Sequence, residues 1–234
     1  MNLGSATIAE IIGAAGFDWA LIDLEHGAGD EVEALNQMRA LAQSGCCSIV
    51  RVESNHRQRV HRVLDFGAHG IMFPRIETPE EAAACVAAMR YPPAGVRGVA
   101  FSNRASHYGD NLRAYLDLSP SLLCVIQIES PRAVANVEAI AATQGVDVLF
   151  IGPSDLSHSL GQLGNFDNPD FVAAIKRTGE AARTNGKAAG VLLPNQGEYS
   201  RYAELGFRFV AATSDAALLN RSARAAVATF KTQN

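Results

Sequence analysis

The bulk properties of this 234-residue chain are those of an ordinary globular protein with one sizeable core. Hydrophobic residues make up 48% of it and charged residues 19%, and the net charge is −4 with no basic block. A nucleic-acid or anionic-membrane partner needs a clustered basic face, so we expect neither. No signal peptide and no run of about 20 apolar residues is visible, so we expect a soluble, cytoplasmic protein. The cysteines lack C-x-x-C spacing and are expected to be small core residues in a reducing compartment: Cys46, Cys47, Cys85 and Cys124.

Short apolar runs alternate along the chain with stretches of helical periodicity. From the first residue onward, the pattern predicts a helix at 8–15, a strand at 19–23, a helix at 32–43, a strand at 48–52, a helix at 60–66, a strand at 71–74 and a helix at 79–89. The segment 91–109 is rich in Gly, Pro and polar residues, and we interpret it as a functional excursion over one face. After a helix at 112–118, strands are predicted at 122–128, 147–151, 188–193 and 207–212, with helices at 132–142, 171–184, 198–205 and 216–230.

Seven apolar strands that alternate with helices predict a parallel sheet covered on both faces. The chain is long enough for a closed (β/α)8 TIM barrel, and residues 1–3 would be the truncated first strand of such a barrel. We therefore predict an α/β protein with a single barrel domain over 1–234. A doubly wound fold is disfavoured because no G-x-G-x-x-G motif follows an early strand.

Two carboxylates are the candidate metal ligands. In a parallel barrel the functional groups lie at the carboxyl ends of the strands, and Glu129 and Asp155 end two consecutive strands. Neighbouring strands lie about 4.8 Å apart, so both carboxylates can reach one ion. Oxygen ligands suit Mg²⁺ or Mn²⁺. The alternative is that each carboxylate merely caps the helix that follows it.

A histidine and an arginine complete the set of polar strand ends. His26 is a candidate general base, with Asp23 or Asp65 as a possible orienting partner, although it could also be a surface loop residue. Arg51 ends an apolar strand and requires an anion, which is either a structural carboxylate or a substrate oxygen. The backbone N–H groups of the turn 152–154 could hold a substrate carboxylate.

A Schiff-base mechanism is disfavoured by the lysines. An imine-forming aldolase needs a lysine at the mouth of the barrel. The chain has three lysines, and each lies elsewhere in the predicted fold: Lys176 is within a helix, Lys187 precedes a strand, and Lys231 is in the tail. The sequence therefore favours a metal-dependent mechanism.

Several stretches together resemble the HpcH/HpaI aldolase family of metal-dependent class II pyruvate aldolases. They span nearly the whole chain in order: AGFDWALIDLEHG at 15–27, SIVRV at 48–52, RYPPAGVRGVAFSNRASHYG at 90–109, VIQIES at 125–130, GVDVLFIGPSDLSHSLGQLGN at 145–165 and FVAATSD at 209–215. The stretches IETPEEA and AIAATQGVDVLFIGPSDL look most like the branch that acts on 2-dehydro-3-deoxyglucarate and 2-keto-3-deoxyrhamnonate. The departure is at the start, where the family has a longer first strand.

The resemblance implies a role for each matching residue. It implies that Glu129 and Asp155 bind a divalent cation, Mg²⁺, Mn²⁺ or Co²⁺. It also implies that His26 is the base, that Asp65 raises the basicity of this histidine, and that Arg51 stabilises the enolate. The implied substrate contacts are Gln127, Gly152, Ser154 and Asp155. The family further implies a homo-hexamer, a trimer of dimers with exchanged C-terminal helices.

The function expected from these features is a metal-dependent aldolase that cleaves or forms 4-hydroxy-2-oxo acids from a 2-oxo acid and an aldehyde. Three alternatives remain open at this point. They are a CoA-ester lyase like the citrate lyase β subunit, a decarboxylase of the oxaloacetate type, and a ligand-binding barrel without turnover.

Overall fold

The computed structural model describes residues 1–231, and its strands form one parallel sheet in the order of the chain. The strands are β1 Trp19–Asp23, β2 Cys47–Arg51, β3 Gly70–Phe73, β4 Leu123–Ile128, β5 Val148–Ile151, β6 Ala188–Leu192 and β7 Phe207–Ala211. The seven predicted strands are therefore confirmed. Because every strand runs in the same direction, all their carboxyl ends lie at one edge of the sheet.

All helices but the last cover the outer face of this curled sheet. They are α1 Ala6–Ala14, α2 Glu31–Leu41, α3 Arg57–Asp65, α4 Pro79–Met89, α5 Leu112–Leu118, α6 Pro131–Ala135, α7 Val137–Ala142, α8 Pro153–Ser159, α9 Pro169–Thr184, α10 Tyr199–Glu204 and α11 Asp215–Lys231. The start of α4 shows how local sequence sets a boundary. Thr78 accepts from the Glu81 amide, the Glu81 carboxylate returns a bond to the cap, and Pro79 occupies the first position.

One predicted helix is wrong as a single element. Residues 132–142 form two helices, α6 and α7, because Asn136 leaves helical geometry at φ −101° and ψ 7°. Its side-chain amide donates instead to the carbonyl of Glu77 at 2.8 Å. Side-chain bonding of this kind competes with the helix. The short helix α8 begins within the turn that the sequence predicts at 152–154.

Apolar side chains on the two faces of the sheet form two core clusters. The larger cluster lies between the strands and the helices. The smaller one fills the concave side of the sheet with Ile49, Met72, Val125, Val148 and Phe150. This division into an inner and an outer core is what a barrel-like sheet requires.

The first residues lie beside β1, where the predicted stub of a strand belongs. The N–H of Asp23 donates to the carbonyl of Met1 at 3.3 Å, and the terminal amine of Met1 donates to the carbonyl of Leu21. At the opposite end of β1, the Trp19 ring stacks on Phe209 of β7 at 4.1 Å between centroids. The described sheet has seven strands, one fewer than the predicted barrel. Its first and last strands meet through the stacked rings.

The last helix, α11, leaves the body of the protein. Asp215 is its only buried residue, and every residue from 219 to 231 is exposed. No helix in residues 1–231 has the length and apolar character needed to span a membrane.

Candidate active site

A cavity of about 370 Å³ opens where the carboxyl ends of the strands converge. Much of its polar lining comes from β1 and the loop after it, from β2 and β4, and from the start of α8: Asp23, His26, Arg51, Gln127, Ser154 and Asp155. Part of its apolar wall comes from Trp19, Phe150, Leu192 and Val210. The parallel sheet therefore brings together side chains that are up to 132 positions apart, from Asp23 to Asp155.

Glu129 follows β4 and is buried, with 7% of its surface exposed. One carboxylate oxygen accepts from the backbone N–H of Arg75 at 2.7 Å, and the other accepts from the Gln127 amide at 3.2 Å. Burial raises the pKa of Glu129 to about 7. The Arg75 amide lowers the pKa of this carboxyl, whereas the nearby charges of Asp155 and Glu25 raise it.

A third carboxylate, Glu25, lies close to the two predicted ligands. Burial raises the pKa of Glu25, and the charges of Asp23 and Asp155 raise it further against the opposing charge of Arg51. Acidic side chains crowded in a partly buried place repel one another, and a divalent cation would relieve this repulsion. The oxygen donors of Glu129 and Asp155 therefore fit a hard cation.

The protein supplies only part of such a coordination shell. Among residues 1–231, no group of three or more His, Cys, Asp and Glu side chains is arranged as a ligand set. A site that uses Glu129 and Asp155 would take its other oxygen ligands from water and substrate, as Mg²⁺ sites commonly do. Such an incomplete shell leaves positions for a chelating substrate.

Arg51 is held in one orientation by Asp23. Its Nε donates to one Asp23 oxygen at 2.8 Å and its Nη2 to the other at 2.6 Å, while Nη1 lies 3.2 Å from Glu25. This two-pronged contact fixes the plane of the guanidinium. The sequence left two possible anions for Arg51, a structural carboxylate and a substrate oxygen. The structure supplies the carboxylate, and Arg51 also lines the cavity, where it is open to a substrate.

His26 lies at the rim of the cavity, with a side chain that is 66% exposed. Its ring Nε2 is 3.7 Å from a carboxylate oxygen of Glu25. Its backbone N–H, like that of Glu25, donates to Asp23, at 3.3 and 3.1 Å. Asp23 therefore orients the backbone of His26 and not its imidazole, which differs from the orienting role considered for it.

Asp65 is not brought to His26 within the described chain. It ends α3, and its carboxylate accepts from Nη2 of Arg97 at 2.7 Å. Arg97 is fully buried and lies over the Tyr91 ring at 4.6 Å. The excursion 91–109 provides this arginine, so its path decides which partner Asp65 has.

Gly152 packs directly against Glu129, the predicted metal ligand, and this contact leaves no room for a side chain. A Cβ at Gly152 would lie 2.6 Å from a carboxylate oxygen of Glu129 and 3.3 Å from the Gln127 amide nitrogen. Gly152 precedes α8, and Ser154 and Asp155 lie in its first turn beside the cavity. Backbone N–H groups in a first helical turn have no partner within the helix.

Comparison with known proteins identifies the family of this chain. Residues 1–222 match the family model described as HpcH/HpaI aldolase/citrate lyase. The chain belongs to this family. The predicted family is therefore confirmed, and so is the prediction of an aldolase, a carbon–carbon lyase, at the level of the family and of the named relatives.

Relatives and solved structures of the HpcH/HpaI family match almost the whole chain. The 5-keto-4-deoxy-D-glucarate aldolase of Salmonella paratyphi C (strain RKS4594) is 41% identical over 229 residues, which cover 98% of this chain and 90% of the relative. A family protein from Burkholderia cenocepacia J2315 superposes with a TM-score of 0.93 at 39% identity, covering 99% and 92%. An HpcH/HpaI aldolase from Desulfitobacterium hafniense DCB-2 has the same TM-score at 29% identity, covering 99% and 90%.

The HpcH/HpaI chain contains a site residue that the sequence alone did not assign. Glu25 received no role, although it contacts Arg51 at 3.2 Å and lies close enough to Glu129 and Asp155 for their charges to interact. The available signal was the pattern Asp23, Glu25, His26 at one strand end, which places two acids and a base together. The sequence predicts that no lysine lies at the mouth of the barrel, and no lysine of residues 1–231 lines the cavity.

The acid stability of the protein should depend on Asp23. Burial raises the pKa of Asp23, but Arg51 lowers it through its hydrogen bonds and charge. The backbone amides of Glu25 and His26 also lower it, and the pKa of Asp23 lies below its ordinary value. A carboxyl with a lowered pKa stabilises the folded state above its unfolded pKa of about 4, and this stabilisation is lost as the pH falls further. Urea unfolding between pH 7 and pH 3 should show a steeper loss for the wild type than for Asp23→Asn.

An exposed ion pair elsewhere in the protein provides the control for this unfolding experiment. Asp23→Asn removes the charged partner that binds Arg51 through two hydrogen bonds and leaves this half-buried guanidinium with Glu25 alone, so it should cost about 2 kcal/mol at pH 7. Glu138→Gln breaks an exposed ion pair with Arg177 and should cost less than about 1 kcal/mol. Equal costs for the two variants would contradict the assignment of Asp23 as the anchor of Arg51.

Proposed function

We propose that this protein is a divalent-metal-dependent aldolase that cleaves 4-hydroxy-2-oxo acids into pyruvate, or a related 2-oxo acid, and an aldehyde, or forms them in reverse. One observation carries the proposal: Asp155 and Arg51 line the cavity at the carboxyl edge of the sheet, and the buried Glu129 lies close enough for both of their charges to act on it. Acids, an anchored guanidinium and an exposed imidazole at one mouth suit the making and breaking of a bond next to a carbonyl group.

Glu129 and Asp155 would hold the cation, which we propose to be Mg²⁺, Mn²⁺ or Co²⁺. When bound, such an ion draws electron density from the keto oxygen and favours the enolate. Gln127 and the turn at Gly152 and Ser154 would hold the substrate, with backbone N–H groups directed at its carboxylate.

Arg51 and His26 divide the remaining chemistry. His26, through a water molecule, takes the proton of the C4 hydroxyl, and the bond between C3 and C4 breaks. The electron pair moves to the C2 oxygen, and Arg51 stabilises the resulting negative charge. The C4 fragment leaves as the aldehyde, and transfer of one proton to C3, which balances the proton taken from the C4 hydroxyl, gives pyruvate. Fixed orientation of Arg51 by Asp23 means that little reorganisation is needed during this step.

The substrate class follows from the relatives. The Salmonella enzymes are named for 5-keto-4-deoxy-D-glucarate, so the first acids to test are 3-deoxy-2-oxo sugar acids. A coupled assay also separates the alternatives, since a CoA-ester lyase would cleave a thioester and a decarboxylase would release CO₂ from oxaloacetate. A barrel without turnover would bind metal and release no product from any of them.

Removal of the metal by chelation should abolish pyruvate release, and a divalent cation should restore it. The His26→Ala variant should bind metal as the wild type does and release pyruvate about 100-fold more slowly, since general bases contribute about 10²–10⁴-fold. Metal content and pyruvate are measured on the same samples. Full activity of the metal-free protein would refute the proposed mechanism.

We also propose that the protein is a closed (β/α)8 barrel in a hexamer with exchanged C-terminal helices. The segment 1–3 would be its first strand, because its backbone already bonds to β1. The exposed apolar residues Leu219, Val227 and Phe230 on α11 support packing on a neighbouring subunit. Asp65 is engaged by Arg97, so its proposed action on a histidine would require His26 of a neighbouring subunit in this assembly.

The assembly can be tested on α11 alone. Phe230→Asp should shift the molecular mass in light scattering from a hexamer towards smaller species, because a charge would be buried at the proposed contact. Arg221→Asp changes charge on the opposite side of the helix and should leave the mass unchanged. A monomeric wild type would exclude the exchanged helix.

A further inference from the structure

The first residues of the chain lie in the candidate site and are clamped there. The N–H groups of Asn2 and Leu3 donate to the two carboxylate oxygens of Asp215, at 2.7 and 3.1 Å. Asp215 is the first residue of α11 and is 6% exposed. On the other side, the carbonyl of Asn2 accepts from the N–H of Ala28, in the loop after β1, at 2.8 Å. The segment is therefore fixed between that loop and the final helix.

This clamp directs the side chain of Asn2 at the anchor of Arg51. The Asn2 amide nitrogen donates to the Oδ2 atom of Asp23 at 2.8 Å. The same oxygen accepts from Nη2 of Arg51 at 2.6 Å, and Asn2 and Arg51 both line the cavity. With Asn2 in place, each oxygen of Asp23 has at least two donors, because Oδ1 accepts from Nε of Arg51 and from the amides of Glu25 and His26.

A carboxylate bound on both oxygens cannot turn without breaking several hydrogen bonds. Loss of the Asn2 donor would leave the Oδ2 atom of Asp23 with Arg51 alone. Carboxylate and guanidinium could then turn together about the Oδ1 atom of Asp23, which keeps its two backbone amide donors. Since Arg51 acts on a charge that develops during the reaction, small displacements of its guanidinium matter more to the rate than to substrate binding.

We propose that Asn2 is a positioning residue for Arg51, acting through Asp23, and that Asp215 holds Asn2 in place for this role. The inference rests on the proposed function, in which Arg51 stabilises the enolate oxygen. It makes two segments that are 213 positions apart in sequence, the start of the chain and the start of α11, joint determinants of the catalytic geometry.

The variant Asn2→Ala should lower kcat for pyruvate release by about 5–10-fold and change KM by less than about twofold. Asn185→Ala is the matched control. It also removes one side-chain hydrogen bond, from Asn185 to the carbonyl of Ala181 at 2.9 Å, at the end of α9 and away from the cavity. The control should keep both kinetic constants. A merely structural role for Asn2 would lower the melting temperature and leave kcat unchanged, which would overturn the proposal.

A double-mutant cycle tests whether Asn2 acts through Arg51. In the background of Arg51→Lys, the substitution Asn2→Ala should reduce kcat by less than about 1.5-fold, because the oriented guanidinium is already gone. If the two reductions multiply instead, Asn2 acts independently of Arg51 and the inference is wrong.

A structural measurement separates this inference from the proposed function. Crystal structures of the wild type and of Asn2→Ala should show the Asp23 carboxylate turned and the Arg51 guanidinium displaced by about 1 Å or more, the scale that matters for catalysis. Unchanged positions of both groups would overturn the inference, whatever the enzyme cleaves. A wild type that releases no pyruvate, together with displaced groups in the variant, would refute the proposed function and keep the positioning role.

Discussion

Replacement of Glu129 with glutamine is expected to abolish metal-dependent pyruvate release while the fold stays intact. The variant Glu129→Gln keeps the size of the side chain and an acceptor for the Arg75 amide, but it removes the charge that binds the cation. Loss of groups that merely support metal ligands costs about 10–100-fold in affinity, so loss of a ligand should cost at least about 100-fold. The affinity is measured by calorimetry with Mn²⁺, and pyruvate by a coupled assay.

The stability of the metal-free variant distinguishes this effect from unfolding. In the metal-free protein, Glu129 is buried near Asp155 and Glu25, and the repulsion among these acids opposes folding. Removal of one charge should therefore raise the melting temperature of the metal-free protein. Glu180→Gln, which changes an exposed acid paired with Arg183, should alter neither metal affinity nor activity. Retained metal affinity in Glu129→Gln would show that Glu129 is not a ligand.

The residues around Glu129 show how far the sequence alone could predict the site. Glu129 and Asp155 could be placed together because parallel strands bring their carboxyl ends to one edge, whatever the loops do. Apolar runs in the sequence predict where each strand ends, and this in turn predicts which residues lie at the carboxyl edge of the sheet. The same argument placed His26 and Arg51 at this edge, where both line the cavity.

Contacts that depend on irregular segments could not be predicted in this way. Asp65 was expected to act on His26, but within one chain it pairs with Arg97, which the 19-residue excursion at 91–109 delivers. No periodicity describes the path of such a segment. The break between α6 and α7 likewise depends on a bond from Asn136 to Glu77, 59 positions away. Side-chain bonds across such distances follow from the folded arrangement and leave no local signal.

Arg51→Lys is expected to reduce kcat by about 100–1000-fold, the range found when a donor to a developing oxyanion is lost. Lysine keeps the positive charge but has one ammonium group, so it cannot bind both oxygens of Asp23 and contact Glu25 in a fixed plane. KM should change little, because the missing interaction is made mainly with the charge that develops on the C2 oxygen. Steady-state kinetics of pyruvate release measures both constants.

A surface pair of the same geometry provides the control for this substitution. Arg177 binds Glu138 through Nε and Nη2 at 2.7 and 2.8 Å, and both side chains are about half exposed. Arg177→Lys removes the same two-pronged contact away from the cavity and should leave kcat unchanged. Metal affinity should also be unchanged in Arg51→Lys, since Glu129 and Asp155 remain. A variant that loses metal together with activity would mean that Arg51 supports the ion, and a variant with a normal kcat would mean that the cation alone stabilises the enolate.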